Sequence, residues 1–180
     1  AGSAGTLASK YNTFIGMQAG CKNTSGCGNA LLGYQTGTEI TTGQCNVFMG
    51  FESGGKISTG NYNIAFGVKA GCGSGTAADN TGTDNISIGR EAGFNISSGL
   101  KNTSIGFKAG ARTSVSTGRC NVFIGSYTGN KVTTGCNNIG IGDYTLQGNT
   151  TGKWNISLGL YAGSACADTK GRNISIGRCT

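Results

Sequence analysis

Ten times in 180 residues an asparagine opens the same short phrase, Asn–apolar–x–apolar–Gly. The ten are Asn12, Asn29, Asn46, Asn63, Asn85, Asn102, Asn121, Asn138, Asn155 and Asn173, at intervals of 17, 17, 17, 22, 17, 19, 17, 17 and 18. A unit this short cannot bury its own apolar surface, so each must stack on its neighbours. The period therefore predicts a rod, and function has to be sought on the rod's surface.

Composition agrees only when read in register. Thirty-five glycines without proline suggest disorder or collagen, but there is no three-residue period and only 12% of residues are charged. Counting each asparagine as position 0, Gly stands at position 4 in all ten units. It recurs at position 8 in eight of nine complete units (Leu146 is the exception) and three residues before the next Asn at eight of nine junctions. Glycine fixed in this way marks corners.

Positions 1 and 3 are apolar almost throughout, as in Val47 and Met49 or Ile86 and Ile88. Such alternation ended by Gly predicts a short strand, with positions 1 and 3 on its buried face. A small residue at position 7 (Ala19, Thr36, Ala70, Ala162) would let a second wall approach closely. The predicted fold is all-β, a parallel β-solenoid or β-roll of about ten 17-residue coils over residues 12–180, behind a lead-in at 1–11. Stacked asparagines would form a hydrogen-bonded ladder at a dry corner, which leaves the sequons at Asn85, Asn102, Asn155 and Asn173 poorly placed for glycosylation. Extra residues fall at one place in the unit (72–80, 111–116, 164–170), so one corner tolerates outward loops.

Position 2 points away from positions 1 and 3 in a strand. Phe14, Leu31 and Phe48 there, with Met17, Tyr34 and Phe51 at position 5, make a candidate apolar interface stripe, or else one side of a two-sided core. Cys27 and Cys45 lie near one corner of adjacent coils, and Cys120 and Cys136 repeat the relation in mirror image. Rung spacing is within disulfide reach, so each pair is a candidate staple, with free thiols as the alternative. Tyr127, Tyr144 and Tyr161 share position 6 on consecutive coils. With Trp154 they are candidate glycan contacts, or they are aromatic packing.

Other chemistries find little footing. The charge of +7 is dispersed along the chain, unlike the clustered face of a nucleic-acid binder. No apolar run approaches membrane-spanning length. There is no His, no CxxC and no Gly-Gly-x-Gly-x-Asp calcium repeat, so no metal or other cofactor is expected. The seven carboxylates are scattered, so no catalytic residues are assigned. Eight cysteines, an even number, suit an oxidising, extracellular setting, and a start at Ala1 suits a processed or excised segment.

The NISIG phrases at 85–89 and 173–177 resemble the head repeats of trimeric autotransporter adhesins, while the longer form with AG and TTG is similar to repeats of phage tail fibres. The resemblance spans residues 12–180, although the adhesin unit is shorter. It implies a β-roll, often trimeric, presenting a binding surface at a cell surface or on a virion. Three functions are expected to compete. The first is a structural shaft or head mediating adhesion or receptor (glycan) binding through a self-associated trimer. The second is a disulfide-reinforced filament subunit polymerised head to tail. The third is an ice-binding solenoid using the hydroxyl pairs Thr41–Thr42, Ser58–Thr59, Thr133–Thr134 and Thr150–Thr151.

Overall fold

The computed structural model describes residues 9–73, 75, 80–111, 116–164 and 171–180. It contains ten three-residue strands: β1 (Thr13–Ile15), β2 (Ala30–Leu32), β3 (Val47–Met49), β4 (Ile64–Phe66), β5 (Ile86–Ile88), β6 (Thr103–Ile105), β7 (Val122–Ile124), β8 (Ile139–Ile141), β9 (Ile156–Leu158) and β10 (Ile174–Ile176). They pair in chain order, all parallel, as one ten-stranded sheet. Position 1 lies on position 1 and position 3 on position 3 at every step, as in Ile105↔Ile124. The fold is a β-solenoid, and the 17-residue period is its coil.

Pairing continues beyond the strands. Gln35 N donates to Met17 O at 2.9 Å and Gly37 N donates to Ser53 O at 2.9 Å, so the turns bond rung to rung as well. This explains how strands of only three residues persist: each coil's backbone donors and acceptors are met by its neighbours.

The corner after each strand needs glycine. At position 4, φ runs from 120° to 141° across all ten glycines. L side chains rarely enter that region, and a Cβ on Gly125 would lie 2.5 Å from the Gly142 carbonyl oxygen.

The buried face is the reverse of the one predicted. Position 2 points inward: Leu31, Phe48 and Phe123 are at most 1% exposed, and Phe14 packs against the same core from the first coil. Phe14, Leu31 and Phe48 are therefore core residues and not an interface stripe. Met17, Tyr34 and Phe51 are exposed, as expected for position 5. Positions 1 and 3 point out, with Leu32, Met49, Phe66 and Ile141 among the exposed side chains. A coil this small is sharply convex, so side chains on the outer face diverge while the inner face has room for one per strand.

The core is a narrow stack built from three columns. Position 2 faces the small position 7, where Ala19, Thr36, Ser53, Ala70, Ala92, Ala109, Thr128, Thr145 and Ala162 are all fully buried. The third column stands six residues before the next asparagine and holds Ile40, Ile57, Ile96 and Val132. Sequence reasoning missed this third column. Its signal was present as a lone aliphatic at fixed offset inside a polar stretch.

Candidate interaction surfaces

The asparagine column is a continuous ladder. Asn121 Nδ2 donates to Asn102 Oδ1 (3.0 Å) and to Gly135 O (2.9 Å), while its own Oδ1 accepts from Asn138 N and Nδ2, both at 3.0 Å. The pattern extends from Asn12, whose Oδ1 accepts from Asn29 N, to Asn173, whose Nδ2 reaches Asn155 Oδ1 at 2.9 Å. Asn29, Asn46, Asn63, Asn85, Asn102, Asn121, Asn138 and Asn155 are buried. The ladder satisfies the interior corner and offers nothing to a ligand.

A second ladder runs five residues before each asparagine. Thr24 Oγ1 donates to Thr41 O (3.0 Å), Ser116 Oγ to Thr133 O (2.7 Å) and Thr133 Oγ1 to Thr150 O (3.2 Å). The first hydroxyl of three of the four pairs (Thr41, Ser58 and Thr133) is thus committed to the next rung. Only the second (Thr42, Thr59, Thr134, Thr151) is exposed, as a single column.

The outer sheet face is the largest unsatisfied surface. Its twenty positions, 1 and 3 on ten rungs, include no charged residue and only two hydroxyls, Thr13 and Thr103. Nine steps of about 4.8 Å make it about 43 Å long, and two alternating columns with their side chains make it about 10 Å wide. Position 5 widens the apolar surface on the first four coils through Met17, Tyr34, Phe51 and Val68, with Tyr34 and Phe51 stacked at 5.4 Å.

Position 6 forms an edge of paired side chains. Gln35 Nε2 donates to Gln18 Oε1 at 2.6 Å, and Lys69 and Lys108 pair with Glu52 and Glu91 at 3.4 and 3.5 Å. Above these, Tyr127, Tyr144 and Tyr161 stack at 5.2 and 4.9 Å with nearly parallel planes. The facing sides of the three rings are therefore spent on one another, which is the packing arrangement, while Tyr161 remains exposed at the end of the stack. Trp154 is half exposed, with the Arg172 guanidinium 5.4 Å from its ring centre.

The four cysteines predicted to form staples are free thiols. They lie on adjacent rungs as read from the sequence, and Cys45 N bonds Cys27 O at 2.9 Å. Register offsets each pair by one residue: the Cys45 sulfur sits over Gly28, and Cys136 pairs in register with Arg119 rather than Cys120. Cys72 is buried, and desolvation pushes its thiol pKa up. Cys166 lies outside the described residues.

Among the described residues no three His, Cys, Asp or Glu side chains gather as a metal site would need, and no helix is long and apolar enough to cross a membrane. These surfaces define the class as a β-solenoid whose most apolar face is turned outward. Comparison with protein-family models, curated proteins and solved structures returned no match.

Proposed function

We propose that this chain is a non-enzymatic segment of an extracellular or virion fibre, a rigid shaft or head whose rods associate side by side and display an adhesive surface. The observation that carries the reading is the uncharged sheet face, about 43 Å long and on the order of 400 Å². A contiguous apolar patch of about that size is often functional, and here it is free of charge along its whole length. Face-to-face burial of two such strips comes to about 800 Å², and the position-5 side chains of the first four coils carry it toward the lower bound of a specific interface, about 1,000 Å². A second copy of this chain supplies a strip of identical length and rung spacing. A homotrimer is the stoichiometry that the repeat's resemblance implies.

The external location rests on the resemblance of the repeat alone, since the described cysteines are free thiols. The disulfide-reinforced filament draws less support, because both predicted staples are free thiols. Ice binding draws less as well, since one of the two hydroxyl columns is committed to the rungs.

Analytical ultracentrifugation tests the reading. The wild-type chain is expected to sediment as a homo-oligomer at micromolar concentration, and the Ile88→Glu/Ile124→Glu double variant as a folded monomer. A monomeric wild type across that range would overturn side-by-side assembly.

A further inference from the structure

We infer that the two columns bordering the outer sheet face set the polarity and register of its assembly, with Asp84 of one copy paired to Arg90 of the next in a parallel, rung-to-rung contact. The inference rests on the side-by-side reading and names the specificity-determining residues of that same face. Position −1 lies two residues before each strand and position 5 two residues after it, so the two columns stand at opposite edges of the face, exposed on most rungs. Coil five carries a charge at each edge, Asp84 and Arg90, and both are exposed. Neither makes an ion pair among the described residues, where the pairs are Lys22–Glu39, Lys69–Glu52 and Lys108–Glu91. The Arg90 guanidinium rests 4.2 Å from the Phe107 ring centre, which leaves its charge without an acid. β5 separates Asp84 from Arg90 by about 10 Å or more, so the two meet only between copies.

Symmetry decides which edges come together. About an axis parallel to the rods, two-fold or three-fold, the position −1 edge of one copy meets the position 5 edge of the next on the same rung. About an axis perpendicular to the rods, each edge meets its own kind, and at full overlap coil one meets coil ten. The residues fit the first arrangement. It brings Tyr62 to Val68, Trp154 to Leu160 and Asp84 to Arg90, and it sets Lys101 against the Phe107 ring, a cation on an aromatic. Only the last rung opposes like charges, Arg172 and Arg178, and Arg172 already lies 5.4 Å from the ring centre of Trp154. The antiparallel arrangement would set Phe51 against Asp143 and Met17 against Arg178, covering a charge with an apolar side chain at both places. A slip of one rung fails too. It moves Asp84 onto Val68 or Phe107 and leaves Arg90 against Lys101 or Tyr62.

Charge reversal followed by sedimentation equilibrium tests the inference, in about 150 mM salt where diffuse attraction is screened. Asp84→Arg and Arg90→Asp are each expected to need about tenfold more protein to associate than the wild type, since like charges then face each other in every copy of the contact. Asp84→Arg/Arg90→Asp restores the pair with its signs exchanged and is expected to associate in the wild-type range. All three variants should keep the far-UV spectrum, because both positions are exposed. An antiparallel contact would put Asp84 on Lys101 and Arg90 on Phe107, so there the double variant would stay as weak as Asp84→Arg. A double variant no better than the singles, or singles as strong as the wild type, would overturn the parallel pairing and leave side-by-side assembly standing. A monomeric wild type would overturn both.

Discussion

Each ladder asparagine from Asn46 to Asn138 serves three neighbours at once: the amide below it, the amide above it and the carbonyl of a corner glycine. Replacing Asn121 by Ala would leave the Gly135 carbonyl and the Asn138 backbone amide unpaired in a dry interior. We expect a loss of about 2–4 kcal/mol by urea denaturation. Asn12→Ala, on the half-buried first rung, is expected to cost about 1 kcal/mol or less in the same assay. A central loss no larger than the terminal one would mean that the ladder is decoration. Thiol chemistry offers a second residue-scale check. Cys45, Cys120 and Cys179 are exposed, whereas Cys72 is buried with its pKa raised by desolvation. A raised pKa means less thiolate at a given pH, so iodoacetamide at pH 8 should label the exposed three well before Cys72, as peptide mapping would report.

Within a coil, the strand wall and the turn share one volume. Coil eight places Gly140 at position 2, where other coils carry Phe, Leu, Ala or Ser, and breaks the position-8 glycine rule with Leu146. The two departures compensate: Leu146 is 3% exposed and points inward, and a Cβ on Gly140 would sit 3.2 Å from its Cδ1. Leu146 accepts a left-handed φ of 52° to do so. Leu146→Gly should therefore open a cavity worth about 2–4 kcal/mol, softened by relief of the backbone. Gly140→Ser should cost less in the Leu146→Gly background than alone, because one of the contacts its Cβ would meet is gone while Thr128 Cγ2 at 2.8 Å remains, a non-additivity visible in a double-mutant cycle. Strict additivity would separate the two sites.

Across the whole molecule, the sheet face decides behaviour. Because positions 1 and 3 point outward, Ile88→Glu and Ile124→Glu should abolish assembly while leaving the far-UV spectrum intact. The thermal midpoint of the wild type should rise with protein concentration, and that of the double variant should not, since association stabilises only the associating form. Had those columns been the core, the same substitutions would unfold the rod. One experiment thus separates the two assignments of the strand's faces. The exposed ion pairs at position 6 contribute about 0–1 kcal/mol each and should leave stability nearly insensitive to salt.

The sequence by itself determined the period, the parallel in-register stacking, the glycine corners and the asparagine ladder, because each depends on a local rule repeated on every rung. Gly16 and Gly33 can be aligned without coordinates, and so can Asn12 and Asn29. Which strand face is inside was beyond its reach. Ile–x–Ile alternation fixes that two residues share a side, and burial then depends on the curvature of a coil that closes after 17 residues. Here the convex side holds the more apolar columns, so hydrophobicity pointed the wrong way, toward the face that the fold turns outward.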